Sequence, residues 1–292
     1  MFTVHGSKGT VYLFGSVHVL PPNVNWKYPA LMAAMQRSDT FVFEVPLDHW
    51  DQDVKTAQTV QKEIMDAHGM LPPGESLRHQ LPADMVPKYD AVIATLGISP
   101  GYIDRLQPWL AAMVLETAGF FQSDARAMNG VDVNVYAMAQ DMHKQTQGLE
   151  TLEDQLKMIS SQEQMYGMDQ LDHTITAMSG DPKAANFDSI FAAWERGDVD
   201  AIARLSEHEL GRHPDIQKAL LQDRNTRWVG ELEAMLAEPH VYFVTVGAAH
   251  LAGPEGVPAQ LRAAGYKVDG PTELRASPTP SLDRLIRKLA PK

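Results

Sequence analysis

The clearest fold signal in the sequence is VYLFGSVHVLPP, residues 11–22, and VYFVTVGAAHLAGP, residues 241–254, repeats its pattern. Each stretch opens with Val-Tyr, runs through apolar residues into Gly-x-x-His, and ends with Leu and a proline-bearing turn. Short β-branched and aromatic runs bounded by glycine are typical of buried strands. The repetition predicts two pseudo-symmetric halves, each with a strand–Gly-x-x-His unit, whose histidines His18 and His250 face one cleft.

Further apolar runs and a series of helical patterns complete the predicted architecture. Strands are predicted at Thr10–Phe14, Thr40–Phe43, Val241–Val246 and, more weakly, just before Gly148. Helices are predicted at Asp51–His68, Ala83–Leu96, Pro108–Phe120, Val131–Lys144, Thr151–Met165, Ala184–Arg196, Val199–His208 and Pro214–Leu236. Helices outweigh strands, which predicts a small central sheet, mixed or parallel, wrapped by many helices, in the α/β (α+β) class. No stretch has the composition of a linker, so residues 1–292 are predicted to form a single domain.

Composition and charge exclude several classes of function. The 25 Lys and Arg against 37 Asp and Glu give a net charge of −12, which opposes a phosphate-binding surface and predicts no nucleic-acid partner. Cysteine is absent, so disulfides, thiolate zinc sites and cysteine nucleophiles are excluded, and any metal must use imidazole and carboxylate ligands. No apolar stretch reaches the ~18 residues that a membrane helix needs, which predicts no membrane-spanning segment.

The sequence leaves the compartment open. The first residues, MFTVHGSKGTVYLFG, lack a basic segment followed by an apolar one, so no signal peptide is predicted in this chain. The protein is expected in the periplasm or outside the cell if a leader has been removed, and in the cytoplasm otherwise.

Each of the four predicted strands runs into an ionisable residue: His18, Glu44, Glu150 and His250 respectively. Ligands of open α/β sheets bind in the crevice outside the carboxyl ends of the strands, so these four side chains are expected to converge. Two neutral histidines and two carboxylates match a divalent cation with nitrogen and oxygen ligands. Taken singly, each histidine also fits a structural hydrogen-bonded residue, and Glu150 fits a negative charge at a helix N-terminus.

The segment Asp223-Arg-Asn-Thr-Arg-Trp228 interrupts an otherwise ordinary amphipathic pattern. Arg224 and Asn225 are candidates to reach an anionic intermediate in the same cleft, because a guanidinium can hydrogen-bond an oxyanion. The alternative is a surface arginine in an i,i+4 ion pair, with Trp228 as a core residue.

Other catalytic motifs fail. The segment HELGRH, residues 208–213, places its second histidine five positions after the first rather than four, and Pro214 follows it. The sequence has no G-x-S-x-G elbow, no P-loop and no G-x-G-x-x-G. It therefore lacks the motifs that are typical of serine hydrolases, nucleotide hydrolases and nicotinamide dehydrogenases.

The blocks LFGSVHVLP, FVFE, GLETLEDQL, DRNTRW, VGAAHLAGPEG and LRAAGYKV resemble the TraB/GumN family, whose animal branch includes the Tiki proteins. The resemblance runs from about Tyr12 to Val268. It implies the fold of erythromycin esterase-like and ChaN-like proteins, and metal-dependent proteolysis through paired GX2H motifs. Those motifs fall on Gly15/His18 and Gly247/His250, the acidic positions on Glu44 and Glu150, and the Arg-Asn pair on Arg224 and Asn225. Ser16 stands where the family usually has Thr.

The leading hypothesis is a metal-dependent hydrolase, a peptidase that acts on peptides or unfolded protein segments. Its metal (Mn, Co or Zn) would be held by His18, His250 and one or both glutamates, and would activate a water molecule. Glu44 is the candidate general base and also a candidate ligand. Two alternatives remain open at this point: a peptide-binding protein without turnover, and an esterase that uses histidine as its base without a metal.

Overall fold

A six-stranded mixed sheet lies at the centre of the described residues, in the strand order β4-β3-β5-β2-β1-β6. The computed structural model describes residues 1–17, 20, 24–46, 59, 62, 69–122, 130–179, 187–211 and 213–272. The strands are β1 (Phe2–His5), β2 (Thr10–Ser16), β3 (Thr40–Phe43), β4 (Gln145–Gly148), β5 (Val241–Gly247) and β6 (Lys267–Asp269). The mixed sheet with its covering of helices confirms the predicted class.

The strands β4, β3, β5 and β2 are parallel, so their carboxyl ends lie at one edge of the sheet. These are the four strands that the sequence predicts. β2 and β5 are direct neighbours, and Gly15 lies opposite Val246 in their register. The first residues of the two Gly-x-x-His units, Gly15 and Gly247, therefore lie on neighbouring strands. His18 lies outside the described residues, and the pseudo-symmetry of the two halves stays a prediction.

Two antiparallel strands, β1 and β6, were not predicted from the sequence. β1 pairs with β2, and β6 pairs with β1 at the edge of the sheet. β1 alternates buried and accessible residues, but its four residues are too few for a periodic signal, and β6 has only three. Their pairing depends on partners distant in the chain, which a local pattern does not contain.

The described helices agree with most of the predicted ones and differ at the ends. They are Pro29–Arg37, Leu77–Gln80, Val86–Leu96, Pro100–Ile103, Pro108–Gln122, Val131–Asp141, Leu152–Met178, Phe187–Arg196, Val199–Leu210, Pro214–Gln217, Asp223–Ala237 and Val257–Ala263. The predicted helix Asp51–His68 lies outside the described residues. None of the described helices is long and apolar enough to cross a membrane.

Two predicted helices have a different internal structure. The helix predicted to end at Met165 continues to Met178, with a non-helical residue at Tyr166. A Cβ at Gly167 would lie 2.6 Å from the backbone nitrogen of Trp109. The helix therefore packs closely against the helix Pro108–Gln122 directly after this non-helical residue. The helix predicted over Pro214–Leu236 contains a π-helical turn, Lys218–Gln222, directly before the Arg224 segment.

The alternation of β3 decides on which face of the sheet the site lies. Phe41 and Phe43 pack in one core cluster with the helices Pro29–Arg37 and Val131–Asp141, whereas Val42 packs in the opposite cluster with Trp228. Since strand side chains alternate with a period of two, the residue after Phe43 continues on the side of Val42. Glu44 therefore faces the helix Asp223–Ala237.

Candidate functional site

Glu44 follows β3 and lies against the end of β5. Its Oε1 accepts a hydrogen bond of 2.7 Å from the backbone N–H of Gly247, and its side chain is 14% exposed. A Cβ at Gly247 would lie 3.3 Å from this oxygen and 3.5 Å from Cδ2 of His250. The glycine of the second Gly-x-x-His unit therefore lets the carboxylate and the imidazole approach the same backbone turn.

Glu150 follows β4 and is tied to the turn that carries Glu44. The backbone N–H groups of Leu149 and Glu150 donate to the carbonyl oxygen of Glu44 at 3.1 and 2.9 Å. Thr151, not Glu150, caps the next helix, since its Oγ1 accepts from the N–H of Asp154 at 3.1 Å. The Glu150 carboxylate is 7% exposed and contacts Arg224, so the interpretation as a simple helix N-terminal charge is wrong.

Arg224 lies between the two carboxylates, and all five of its N–H groups have partners. Nη2 donates to Oε2 of Glu44 and Oε1 of Glu150, both at 2.6 Å, and Nε donates to both oxygens of Glu150 at 3.1 and 3.2 Å. Nη1 donates to the Leu220 carbonyl oxygen at 3.1 Å and faces Nε2 of His250 at 3.0 Å. Arg224 is 6% exposed, so the alternative of a surface ion pair is wrong.

Asn225 determines which nitrogen of His250 carries the proton. Its Nδ2 donates to the carbonyl oxygen of Glu255 at 2.8 Å, which assigns Oδ1 as the atom that faces Nδ1 of His250 at 2.6 Å. An amide oxygen only accepts, so Nδ1 is protonated, and the N–H of Arg224 faces the lone pair on Nε2. His250 is 4% exposed and its ring lies 4.4 Å from that of Trp228, which is a core residue as predicted.

The charges of the site stabilise each other. Burial raises the pKa of the Glu44 carboxyl. Three other features outweigh burial and hold this pKa below its usual value: the charge of His250 in its protonated form, the charge of Arg224, and the hydrogen bond from the Gly247 N–H. Burial lowers the pKa of Arg224. Its hydrogen bonds and ion pairs with Glu150 and Glu44 outweigh burial and raise the pKa above its usual range. At neutral pH Glu44 is therefore a carboxylate paired with the Arg224 guanidinium.

Gln155 belongs to the site and was missed from the sequence. Its Nε2 donates to Oε2 of Glu44 at 3.3 Å and to Oε1 of Glu150 at 3.1 Å. It stands five residues after Glu150, on the first turns of the following helix, which is the one signal that points to it. Arg227 lies at the rim, 60% exposed, with Nη2 at 3.4 Å from Oε2 of Glu150.

The structure brings together five of the six predicted site residues: Glu44, Glu150, Arg224, Asn225 and His250. The sixth, His18, lies outside the described residues. The predicted convergence at the carboxyl ends of parallel strands is therefore confirmed for β3, β4 and β5.

A metal at this centre stays a prediction. Over the parts of the chain that are described, no three His, Asp or Glu side chains are arranged to hold an ion. The donor chemistry nevertheless fits one, because Nδ1–H of His250 is held by an amide carbonyl, as in metal-ligating histidines, and Nε2 keeps its lone pair. Oε1 of Glu44 lies 3.9 Å from that Nε2.

The fold and the site define an α/β protein with a buried Glu–Glu–Arg–His centre at the carboxyl edge of parallel strands. The TraB/PrgY/gumN family matches residues 1–270, and the chain belongs to this family, as the sequence blocks predicted. The chain is 25% identical over 256 residues to the uncharacterized protein YbaP of Escherichia coli (strain K12), which covers 86% of this chain and 87% of YbaP. YbaP of Shigella flexneri matches to the same extent. No solved structure matches the chain.

Proposed function

We propose that the chain is a metal-dependent hydrolase that cleaves peptide bonds in peptides or unfolded protein segments. The observation that carries the proposal is the buried centre itself, in which the side chains of Glu44, Glu150 and Arg224 are at most 14% exposed. Burying ions costs several kcal/mol each before pairing, and apolar residues would fill the space more stably. Clusters of this kind, at the ligand-binding edge of an α/β sheet, are typical of functional sites.

His250 is the described histidine that would hold the metal, together with His18 and one or both of the carboxylates of Glu44 and Glu150. A bound Mn, Co or Zn ion would lower the pKa of a water molecule and polarise a scissile carbonyl. Asn225 supports this role, because it fixes the His250 tautomer in which Nε2 is unprotonated.

Glu44 would take the proton from the attacking water. A general base must be ionised at working pH and within hydrogen-bond reach of its proton, and the lowered pKa of Glu44 satisfies the first condition. Gln155 donates to its Oε2 and the Gly247 N–H donates to its Oε1, so the carboxylate is held in place by contacts that do not depend on Arg224. A direct role of Arg224 as an oxyanion donor stays a prediction.

Mass spectrometry of an unstructured peptide library tests the proposal. The library is incubated with the protein and Mn, Co or Zn, and in parallel with chelator. We expect new cleavage products that require metal and disappear in Glu44→Gln, which keeps the shape of the side chain and removes the charge. The matched control is Glu153→Gln, an exposed glutamate whose ion-pair partner is Lys157, and it is expected to cleave like the wild type.

The other outcomes are equally specific. If the protein binds peptides but cleaves none of them with Mn, Co or Zn, the proposal is wrong and a peptide-binding protein without turnover is favoured. Cleavage or ester hydrolysis that continues at the same rate in chelator would overturn the metal dependence and favour the metal-independent esterase.

A further inference from the structure

The guanidinium of Arg224 contacts the same side-chain atoms that a divalent ion would use. Its Nη2 lies 2.6 Å from both Oε2 of Glu44 and Oε1 of Glu150, and its Nη1 lies 3.0 Å from Nε2 of His250. Imidazole nitrogens and carboxylate oxygens are both ligand types for zinc and related divalent ions. In this structure the positive charge among these three side chains is the guanidinium.

A metal and this guanidinium position exclude each other. Metal–imidazole bonds are about 2.0–2.1 Å, so an ion on the Nε2 lone pair of His250 would overlap Nη1 of Arg224, which lies 3.0 Å from that atom. The Nε2 lone pair of His250 also serves only one partner at a time, either an N–H donor or a metal. The two cations therefore compete for space, for lone pairs and for the charge of the glutamates.

We propose that Arg224 is a built-in competitor of the metal, and that its guanidinium must withdraw from His250 and from the carboxylate that serves as ligand before a divalent ion can bind there. This inference rests on the proposed metal-dependent function. While the guanidinium stays, it keeps the two buried carboxylates paired and the centre folded. When it withdraws, the ion takes over that charge balance.

Arg224 has contacts that would remain after withdrawal. Its Nη1 also bonds the carbonyl oxygen of Leu220, which lies in the π-helical turn Lys218–Gln222, and its guanidinium carbon stands 4.5 Å from the centre of the Trp228 ring. π-Helical turns inside α-helices occur frequently at functional sites and depart locally from regular helix geometry. Arg227, exposed and 3.4 Å from Oε2 of Glu150, remains as a partner for that carboxylate.

Calorimetric titration with Mn²⁺, Co²⁺ and Zn²⁺ tests the inference on the full chain. Arg224→Met removes the charge and the donors but retains a long side chain, and Arg227→Met is the matched control on the same helix. We expect Arg224→Met to bind metal at least about tenfold more tightly than the wild type, because a close unit charge is removed from a poorly solvated site. We expect Arg227→Met, with an exposed charge, to change the affinity less than about threefold.

The results separate this inference from the proposed function. If the wild type binds metal and Arg224→Met binds it equally or more weakly, Arg224 is not a competitor, while the metal site stands. If neither the wild type nor any variant binds the three metals, both the inference and the metal-dependent function are wrong. If Arg224→Met fails to fold in chelator, refolding with Mn²⁺ replaces the titration: recovery of the fold supports the inference, and failure to recover overturns it.

Discussion

At the scale of single residues, the hydrogen bond between Asn225 and His250 determines which nitrogen of the imidazole ring carries the proton. Asn225 is 1% exposed. Its Nδ2 donates to the carbonyl oxygen of Glu255, and its Oδ1 accepts a hydrogen bond from Nδ1 of His250. The same helix carries Arg224, so two consecutive residues hold the carboxylates and the imidazole. The Arg-Asn pair is therefore one unit that orients the site.

Asn225→Leu is expected to lower the free energy of unfolding by about 1–3 kcal/mol, because it removes the acceptor of the buried Nδ1–H of His250. Urea denaturation measures this difference. The matched control is Thr226→Ala, an exposed neighbour that bonds the Gln222 carbonyl oxygen, for which less than about 0.5 kcal/mol is expected. Equal losses in the two variants would show that the Asn225–His250 bond does not stabilise the fold.

At the scale of elements, the turns after β3 and β4 form one support for the two glutamates. Gly148 is needed there, because a Cβ at this position would lie 2.4 Å from Cδ of Pro46 and 2.6 Å from its backbone nitrogen. Pro46 belongs to the turn that follows Glu44. Contact between the two turns therefore sets the distance between the Glu44 and Glu150 carboxylates.

Gly148→Ala is expected to push these turns apart, to lower the free energy of unfolding by about 1–3 kcal/mol, as overpacked sites do, and to reduce peptide cleavage. Thermal unfolding and the cleavage assay measure both effects. Gly230→Ala, on the helix Asp223–Ala237, is the control. Outside that helix, none of the described residues comes within 4 Å of the position that a Cβ would take at Gly230, so a gain of about 0.5–1 kcal/mol is expected. A stable and fully active Gly148→Ala protein would contradict the role given to the turns.

The parts of these elements that the sequence predicts are those with a local signal. The apolar runs of β2, β3 and β5 and their ionisable ends are visible in single stretches, so Glu44 and His250 could be placed at the sheet edge in advance. β1 and β6 are too short to show a period, and Gln155 is not ionisable, so neither has a local signal. The central position of Arg224 depends on four elements meeting, which no stretch of the sequence shows by itself.

At the scale of the whole molecule, the helix Leu152–Met178 connects the site to a second core. Its first turns carry Gln155 into the centre, and its later residues Leu171 and Ile175 are fully buried in a cluster of helical and loop residues outside the sheet. On the helix Asp223–Ala237, Trp228 and Leu232 continue the buried face that carries Arg224 and pack in the sheet core. The site thus lies where these two cores meet. A change in their relative position would alter the hydrogen bonds that Gln155 donates to Glu44 and Glu150.

Cleavage in H₂¹⁸O tests whether water that is activated at the Glu44–Glu150–His250 centre cleaves peptide bonds. An unstructured peptide is incubated with the metal-loaded wild type, Glu44→Gln and Glu153→Gln, and the masses of the new carboxyl termini are measured by mass spectrometry. We expect ¹⁸O in the new carboxylates with the wild type and Glu153→Gln, and at least about a hundredfold less product with Glu44→Gln, the range of a lost general base. Equal amounts of labelled product from all three proteins would place the reaction outside this centre and overturn the proposed function.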